Sequence, residues 1–475
     1  MSQRPNILLI VTEQHRGDCL GCDGHPVLLT PNMDNIAHNG VRFSRFYTDA
    51  PICMPARRTI VSGQFPATHG ILSNAEGVQW QPQATLPQTL RDHGYQTRWI
   101  GRDMHQYPKR ARFGYDEVES GGSGPTQDYM LWLKDHAPDD CGSWFSAGVM
   151  HNDWTARPWP LAEHLHNTNW TVQRAMEFMR RRDPTCPFFL TLSFLAAHPP
   201  LQPPAAYFER YLRTGVPDPY IGDWAEPPEA GAGGDSIAPS RVRLEGEALL
   251  STRAGYYGLI NHLDDQLRRL INGVIGLSHR SDTIICLTSD HGEMLGDHYL
   301  WRKQVGFEGS ARVPFLLSAP RDLGVEPGTV VDAPATLADI MPTLLDMTGI
   351  DIPRSVDGRS LWPAMRGDAP PWEYVHMECA GWSQSLTDGH EKYIWDPRDG
   401  REYLFNLDQD PNELHNLAAE AEPRVAVWRG RLIERLKGRP EGFTDGERLI
   451  PGRPVVAALE HAGPRTTFAR ERFVS

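Results

Sequence analysis

No stretch of this chain is apolar for long enough to cross a membrane. The N-terminal run Ile7–Val11 stops at once in Glu13, Gln14, His15 and Arg16, and nothing later is longer in kind. The run is also too short for a signal-peptide core, so a cytoplasmic protein with no membrane partner is expected. Basic residues are in the minority, 47 Lys and Arg against 60 Asp and Glu for a formal net charge of −13. That balance supplies no basic face for nucleic acid, and any anion site must be local. Cysteine is scarce, odd in number and scattered: Cys19, Cys22, Cys53, Cys141, Cys186, Cys286 and Cys379. Such spacing excludes a disulfide framework, and Cys19-x-x-Cys22 has no second pair or nearby His to complete a zinc set. No low-complexity tract or fixed-period repeat is present, which excludes a solenoid.

What the chain does have is length and alternation. At 475 residues it exceeds the size at which one core stops growing, so a large domain and a smaller one are expected. Short apolar runs at Ile7–Val11, Thr97–Ile100, Phe188–Leu195, Thr283–Thr288 and Pro314–Ser318 read as buried strands. Helical patterns at Asn32–Asn39, Pro87–His93, Thr171–Arg182 and Leu249–Ile275 lie between them, giving an α/β fold with a mostly parallel sheet flanked by helices. The Pro-, Gly- and Ala-rich stretch Pro199–Arg241 reads as an irregular excursion at the rim of the site. A boundary near residue 365 divides a catalytic domain, 1–365, from a C-terminal domain, 366–475. In the latter, Glu391–Trp395 and Glu402–Leu407 form a hairpin across Asp399-Gly400, and Val425–Leu436 forms a helix.

In sheets of this kind ligands bind beyond the carboxyl ends of the strands. There the sequence places Glu13, then Arg102 and His105, then His198, then Asp290 and His291. Separately, Cys53-Met54-Pro55-Ala56-Arg57 opens a helix with Pro55 in its first turn, which sets residue 53 at a helix N-terminus that favours anions, with Arg57 adding a fixed charge.

The Cys-x-Pro-x-Arg segment, followed by Ser62-Gly63, resembles the signature of the sulfatase family, in which the cysteine is converted to formylglycine. The resemblance extends from Asn6–Ile10 through Thr30-Pro31-Asn32-Met33-Asp34 and Gly40-Val41-Arg42-Phe43 to Ser289-Asp290-His291-Gly292-Glu293. It continues through Arg312-Val313-Pro314 to Leu404–Glu413, so it spans nearly the whole chain. It implies the alkaline-phosphatase-like fold, with a small C-terminal antiparallel sheet plus helix, and hydrolysis of an aryl or other small organic sulfate ester. One divalent metal would be held by Glu13, Asp290, His291 and the modified residue 53. Oxygen-rich ligation favours Ca2+, and the imidazole admits Mn2+. The family usually carries Asp where this chain has Glu13, which leaves Gln14 or Asp18 as the alternative ligand.

The resemblance further implies that hydrated formylglycine attacks sulfur through one oxygen and later expels sulfate by reforming the aldehyde, with His105 as base. Arg57 and Lys303 would stabilise the sulfuryl oxygens, while His198 or Lys303 protonates the leaving alcohol. Asn74 and Arg102 are candidate substrate contacts, Arg102 standing where the family has Lys in a segment with one residue inserted before His105. Partners implied are a small sulfate ester and a formylglycine-generating enzyme, and the tail Pro464–Val474 is a candidate tie in a homo-oligomer. The same motifs also admit a phosphonate monoester or phosphodiester hydrolase and, remotely, a non-catalytic anion-binding relative. The stretch Trp144–Trp170, with four Trp and three His residues, is read as an amphipathic rim or as packing of an insertion.

Overall fold

The computed structural model describes residues 4–137, 148–149, 152–228, 240–273 and 282–466. The segment Asn6–Thr12 (β1) is buried along its whole length because it pairs on both sides, with Phe188–Ser193 (β6) and with Thr283–Ser289 (β7), both parallel. A strand covered on both faces needs no polar alternation, which is why Ile-Leu-Leu-Ile-Val runs unbroken. Successive side chains enter opposite layers: Leu8 and Ile10 join one core cluster, and Ile7, Leu9 and Val11 the other. The first layer is completed by the helices Asn167–Arg181 and Gly246–Gly273, the second by Cys53–Ser62, Leu86–Asp92 and Ile340–Met347.

The remaining strands are Val41–Phe43 (β2), Phe46–Tyr47 (β3), Gln96–Gly101 (β4), Glu117–Ser120 (β5), Phe315–Ser318 (β8), Thr329–Val331 (β9) and Ala335–Thr336 (β10). The large sheet has eight strands in the order β5-β4-β6-β1-β7-β8-β2-β9, antiparallel only where β8 meets its neighbours. Val375–Cys379 (β11), Ser383–Thr387 (β12), Glu391–Trp395 (β13) and Glu402–Asn406 (β14) form a separate antiparallel sheet. The helix Glu422–Leu436 packs Val425, Trp428 and Leu432 onto its Leu386, Tyr393 and Leu404. At the seam Lys392, with no exposed surface, reaches from β13 to Glu308 at 2.5 Å and Glu413 at 3.2 Å.

One expectation is corrected and two are filled in. The stretch Pro199–Arg241 contains the helix Ala205–Thr214, which buries Phe208 and Tyr211; Pro204 stands at its N-cap, ahead of the first turn, and so does not interrupt it. The small sheet has two strands before the expected hairpin, and their buried polar residues masked the pattern: His376 pairs with Gln384 at 2.9 Å across them. Trp159 and Trp170 are core residues packed under the insertion, whereas Trp154 meets Trp301 at 6.2 Å; Trp144 lies outside the described residues. As far as it is described, the tail turns back on its own chain, where Pro464 accepts from Gln79 N at 2.9 Å. Among the described residues no helix is long and apolar enough to cross a membrane.

Candidate active site

The carboxyl ends of β1, β4 and β7 deliver Glu13, Arg102 and Asp290 to one place, and the first turn of the Cys53–Ser62 helix closes over them. Cys53 is the first residue of that helix and is buried. Its Sγ lies 3.3 Å from Glu13 Oε1 and 3.2 Å from His291 Nε2. Burial pushes the thiol up to about 12, with Lys303 pulling the other way, so the unmodified side chain is a thiol rather than a nucleophilic thiolate.

Charge in the site is nearly all buried. Arg102 Nε donates to Glu13 Oε2 at 2.6 Å, and Arg57, one turn along the helix from Cys53, lies 3.6 Å from the same oxygen. Burial raises the Glu13 carboxyl, but the Arg102, His198 and Arg57 charges outweigh it and hold the group well below the usual carboxylate range. Arg57 Nε also donates to Asp290 Oδ2 at 3.0 Å and its Nη1 to Ser193 Oγ at 2.8 Å, while its buried Nη2, 3.6 Å from Glu13 Oε2, has no hydrogen-bond acceptor among the described residues. Asp290 Oδ1 accepts from the backbone N–H groups of Gln14 and His291 at 3.1 and 2.9 Å.

The donor set fits a divalent cation. One atom each from Cys53, Asp290 and His291 lie within 4.8 Å of one another, as do atoms from Glu13, Cys53 and His105. His291 Nδ1 contacts the Gly292 carbonyl at 2.9 Å; a carbonyl only accepts, so Nδ1 carries the proton and Nε2 presents its lone pair beside Cys53. Burial brings this imidazole down to about 4 despite Asp290, keeping it neutral, as a ligand must be. Asp18 is elsewhere: both its oxygens are taken by Arg16, at 2.8 and 2.7 Å.

The other sequence-read residues fall around this cluster. Lys303 Nζ donates to Gln14 Oε1 at 2.7 Å, and the Gln14 amide N–H donates to Glu293, which fixes the amide with its oxygen towards Lys303. His105 Nε2 accepts from Arg102 at 3.0 Å, and burial with the Arg102 charge brings the ring down to about 3. His198 is buried, its Nδ1 donating to the Pro199 carbonyl at 2.5 Å, so Nε2 is the remaining nitrogen of that ring. Asn74 is exposed and accepts from Met54 N at 3.3 Å, at the mouth of the Cys53 helix. Arg102 is committed to Glu13 and Asp103.

Sequence reasoning missed Ser193 and Glu293 as supports, although Glu293 lay within a quoted motif, and it missed the C-terminal wall entirely. A cavity of about 380 Å3 runs from Lys303 between the large sheet and β12–β14, walled by Trp224, Trp301, Trp382 and Tyr403. Trp382 packs on Ile52, the residue before Cys53, and carries Arg398 at 4.7 Å from its ring centroid. Arg398 and Arg401 are each paired with a carboxylate, Asp396 and Asp399. No local signal foretells this, since β12–β14 are remote from Cys53 in sequence.

Comparison with known proteins bears on these features. A family model described as Sulfatase matches residues 5–350, and one described as N-sulphoglucosamine sulphohydrolase, C-terminal, matches residues 296–438. An arylsulfatase of Clostridium perfringens is 37% identical, over 96% of this chain and 99% of its own. The multifunctional alkaline phosphatase superfamily protein PehA of Trinickia caryophylli is 29% identical, over 93% of this chain and 99% of its own. Among solved structures, the phosphonate monoester hydrolase of Agrobacterium radiobacter superposes with a TM-score of 0.78 at 26% identity, covering 91% of this chain and 95% of that one.

Proposed function

The chain belongs to the sulfatase family, with its alkaline-phosphatase-like fold, and from that premise we propose that it hydrolyses a sulfate ester at Cys53 after conversion of that residue to formylglycine. The observation that carries this reading is the setting of Cys53: the first residue of a buried helix, between Glu13 and His291, one turn before Arg57. As formylglycine, residue 53 supplies in its hydrate one oxygen to attack sulfur and a second by which sulfate is expelled. A divalent metal, Ca2+ in this reading with Mn2+ as the alternative, would when bound supply Lewis acidity to the attacking oxygen and to the sulfuryl group. Glu13, Asp290, His291 and residue 53 hold that ion.

The chain's own groups do the rest. Arg57 Nη2, without a hydrogen-bond acceptor among the described residues, and Lys303 bind sulfuryl oxygens, in a site dry enough for each contact to count. Gln14 and Glu293 hold Lys303 in place. His198 Nε2 or Lys303 delivers the proton to the leaving alcohol, and His105, once its Nε2 is released from the Arg102 N–H, accepts the proton whose loss releases sulfate. The leaving group occupies the aromatic-walled cavity beside Lys303. In this reading the catalytic domain ends near residue 365, the protein is cytoplasmic, and a formylglycine-generating enzyme matures it.

A phosphonate monoester hydrolase is the second reading, favoured by the superposition with the Agrobacterium enzyme of that name. The test is kcat/KM for 4-nitrophenyl sulfate against an aryl phosphonate monoester, on protein whose residue 53 has been read by peptide mass spectrometry. Formylglycine at residue 53 with preference for the sulfate is expected. An intact thiol in fully active protein removes the proposed nucleophile, and preference for the phosphonate installs the second reading.

A further inference from the structure

A second cavity, of about 360 Å3, lies along the seam between the two sheets. Its walls come from distant parts of the chain: Phe65, beyond the C-terminal end of the Cys53 helix, Thr336 and Arg359 on one side, and Trp372, His376 and Arg435 on the other. Arg359 lies 3.9 Å from the centroid of the Trp372 ring and Arg435 4.8 Å from that of Phe65. Stacking occupies one face of each guanidinium and fixes its plane while leaving the N–H edges available. Arg359 commits one N–H to the Pro371 carbonyl, and neither arginine forms an ion pair among the described residues. Their neighbours do: Arg431 pairs with Glu373 and Arg439 with Glu378.

The surroundings do not cancel this local positive charge. Two carboxylates stand at the wall: Glu373 is paired with Arg431, and Asp339 accepts from Trp372 Nε1 at 3.0 Å and from the backbone N–H groups of Thr336 and Arg359. At the floor His376 donates or accepts at 2.9 Å with Gln384, and burial together with Arg435 and Arg439 keeps it neutral. In a chain with 60 acidic and 47 basic residues, two guanidiniums lining one cavity, neither of them ion-paired among the described residues, are a specific local excess.

We propose that this seam cavity binds a tetrahedral oxoanion, sulfate or phosphate, between the N–H edges of Arg359 and Arg435. Planar forks suit such an anion because two N–H groups meet two oxygens at once. The occupant bridges the parallel-sheet half and the C-terminal helix, so it stabilises their docking.

The test is thermal unfolding of the full chain titrated with sodium sulfate, and separately with phosphate, against sodium chloride at equal ionic strength. A saturable rise in the midpoint is expected. Arg359→Ser and Arg435→Ser should each raise the half-saturating concentration about tenfold or more, the worth of one charge-assisted contact. Both variants should keep wild-type turnover of 4-nitrophenyl sulfate, while Lys303→Ala, altered only at the active site, keeps the saturable rise. Arg435→Lys, which retains the charge without the fork, should weaken it less than Arg435→Ser and guards against misfolding of the latter. A rise that never saturates and is equal in every variant is general exclusion of sulfate from protein surface and overturns the proposal. So does a saturable rise lost in Lys303→Ala and kept in both arginine variants.

Discussion

Glu13→Gln removes one charge and almost no volume, so its effect is electrostatic. Glu13 has no exposed surface and holds Arg102 at 2.6 Å and Arg57 at 3.6 Å. Breaking a buried ion pair costs about 3–5 kcal/mol. Here both cations keep another carboxylate, Asp103 at 3.1 Å and Asp290 at 3.0 Å, which puts the loss of stability in chelated protein near the lower end, about 3 kcal/mol. The pH dependence has a definite sign. Because the folded pKa of Glu13 is depressed, its contribution is fully present above the ordinary carboxylate range and is lost as pH falls through the folded value. The gap between parent and variant is therefore widest at neutral pH and closes on acidification.

The same substitution reads the metal site. Glu13 supplies a full negative charge to a donor set whose atoms lie within 4.8 Å of one another, and that charge faces a divalent ion. The variant retains an amide oxygen but not the charge, so affinity for Ca2+ or Mn2+ in calorimetric titration should fall roughly 100-fold. Asp18→Asn is the control for the titration and should leave the cation affinity unchanged, since both Asp18 oxygens are held by Arg16 away from the donor set. If Glu13→Gln binds the cation as tightly as the parent and loses less than about 1 kcal/mol of stability, the charge argument is wrong and Gln14 inherits the ligand role.

Cys53→Ser should release at most one equivalent of alcohol per site in quenched flow, because serine has a single hydroxyl and its sulfate ester has no second oxygen by which to expel sulfate; sustained turnover at the parent rate refutes the formylglycine reading. Asp290→Ala should lose the metal and most activity, as it also strips Arg57 of its 3.0 Å partner; metal analysis of the purified variant decides it. Lys392→Met should lower stability in urea by about 3 kcal/mol at pH 7, because it leaves Glu308 and Glu413 buried without their shared cation. That loss should shrink on acidification: burial already pushes Glu413 up to about 7, so it takes up a proton readily, and a loss that instead grows towards low pH contradicts the assignment.

The central strands were legible because burial on both faces writes a continuous apolar run, as in β1 and β7. What stood just after those runs was legible too: Glu13, Arg102 and Asp290 meet as the strand ends dictate. Strands β11 and β12 were not, since they bury His376, Glu378, Gln384 and Ser385 against partners that only the fold supplies, such as Arg439 for Glu378. Nor could sequence foresee that Arg102 binds Glu13, because that depends on the lateral order of β4, β6 and β1 in the sheet.

The charge distribution explains how a chain of net charge −13 can attract an anion. Arg57, Arg102 and Lys303 stand against Glu13, Asp290, Asp103 and Glu293, a formal count of −1 that a bound divalent metal would turn to +1. Burial removes these charges from salt screening, so that positive balance would act at short range on a group that enters the site and little on one that does not. The adjoining cavity is different in kind: Arg398 with Asp396 and Arg401 with Asp399 cancel, and aromatic rings form its walls. In the proposed reading, selection for negative charge resides at the reacting group, and selection by shape and stacking at the group that leaves. The first is set by the ends of the parallel strands, whereas the second is contributed by the C-terminal sheet, so substitutions in β12–β14 are free to alter the alcohol accepted without disturbing the charges around Cys53.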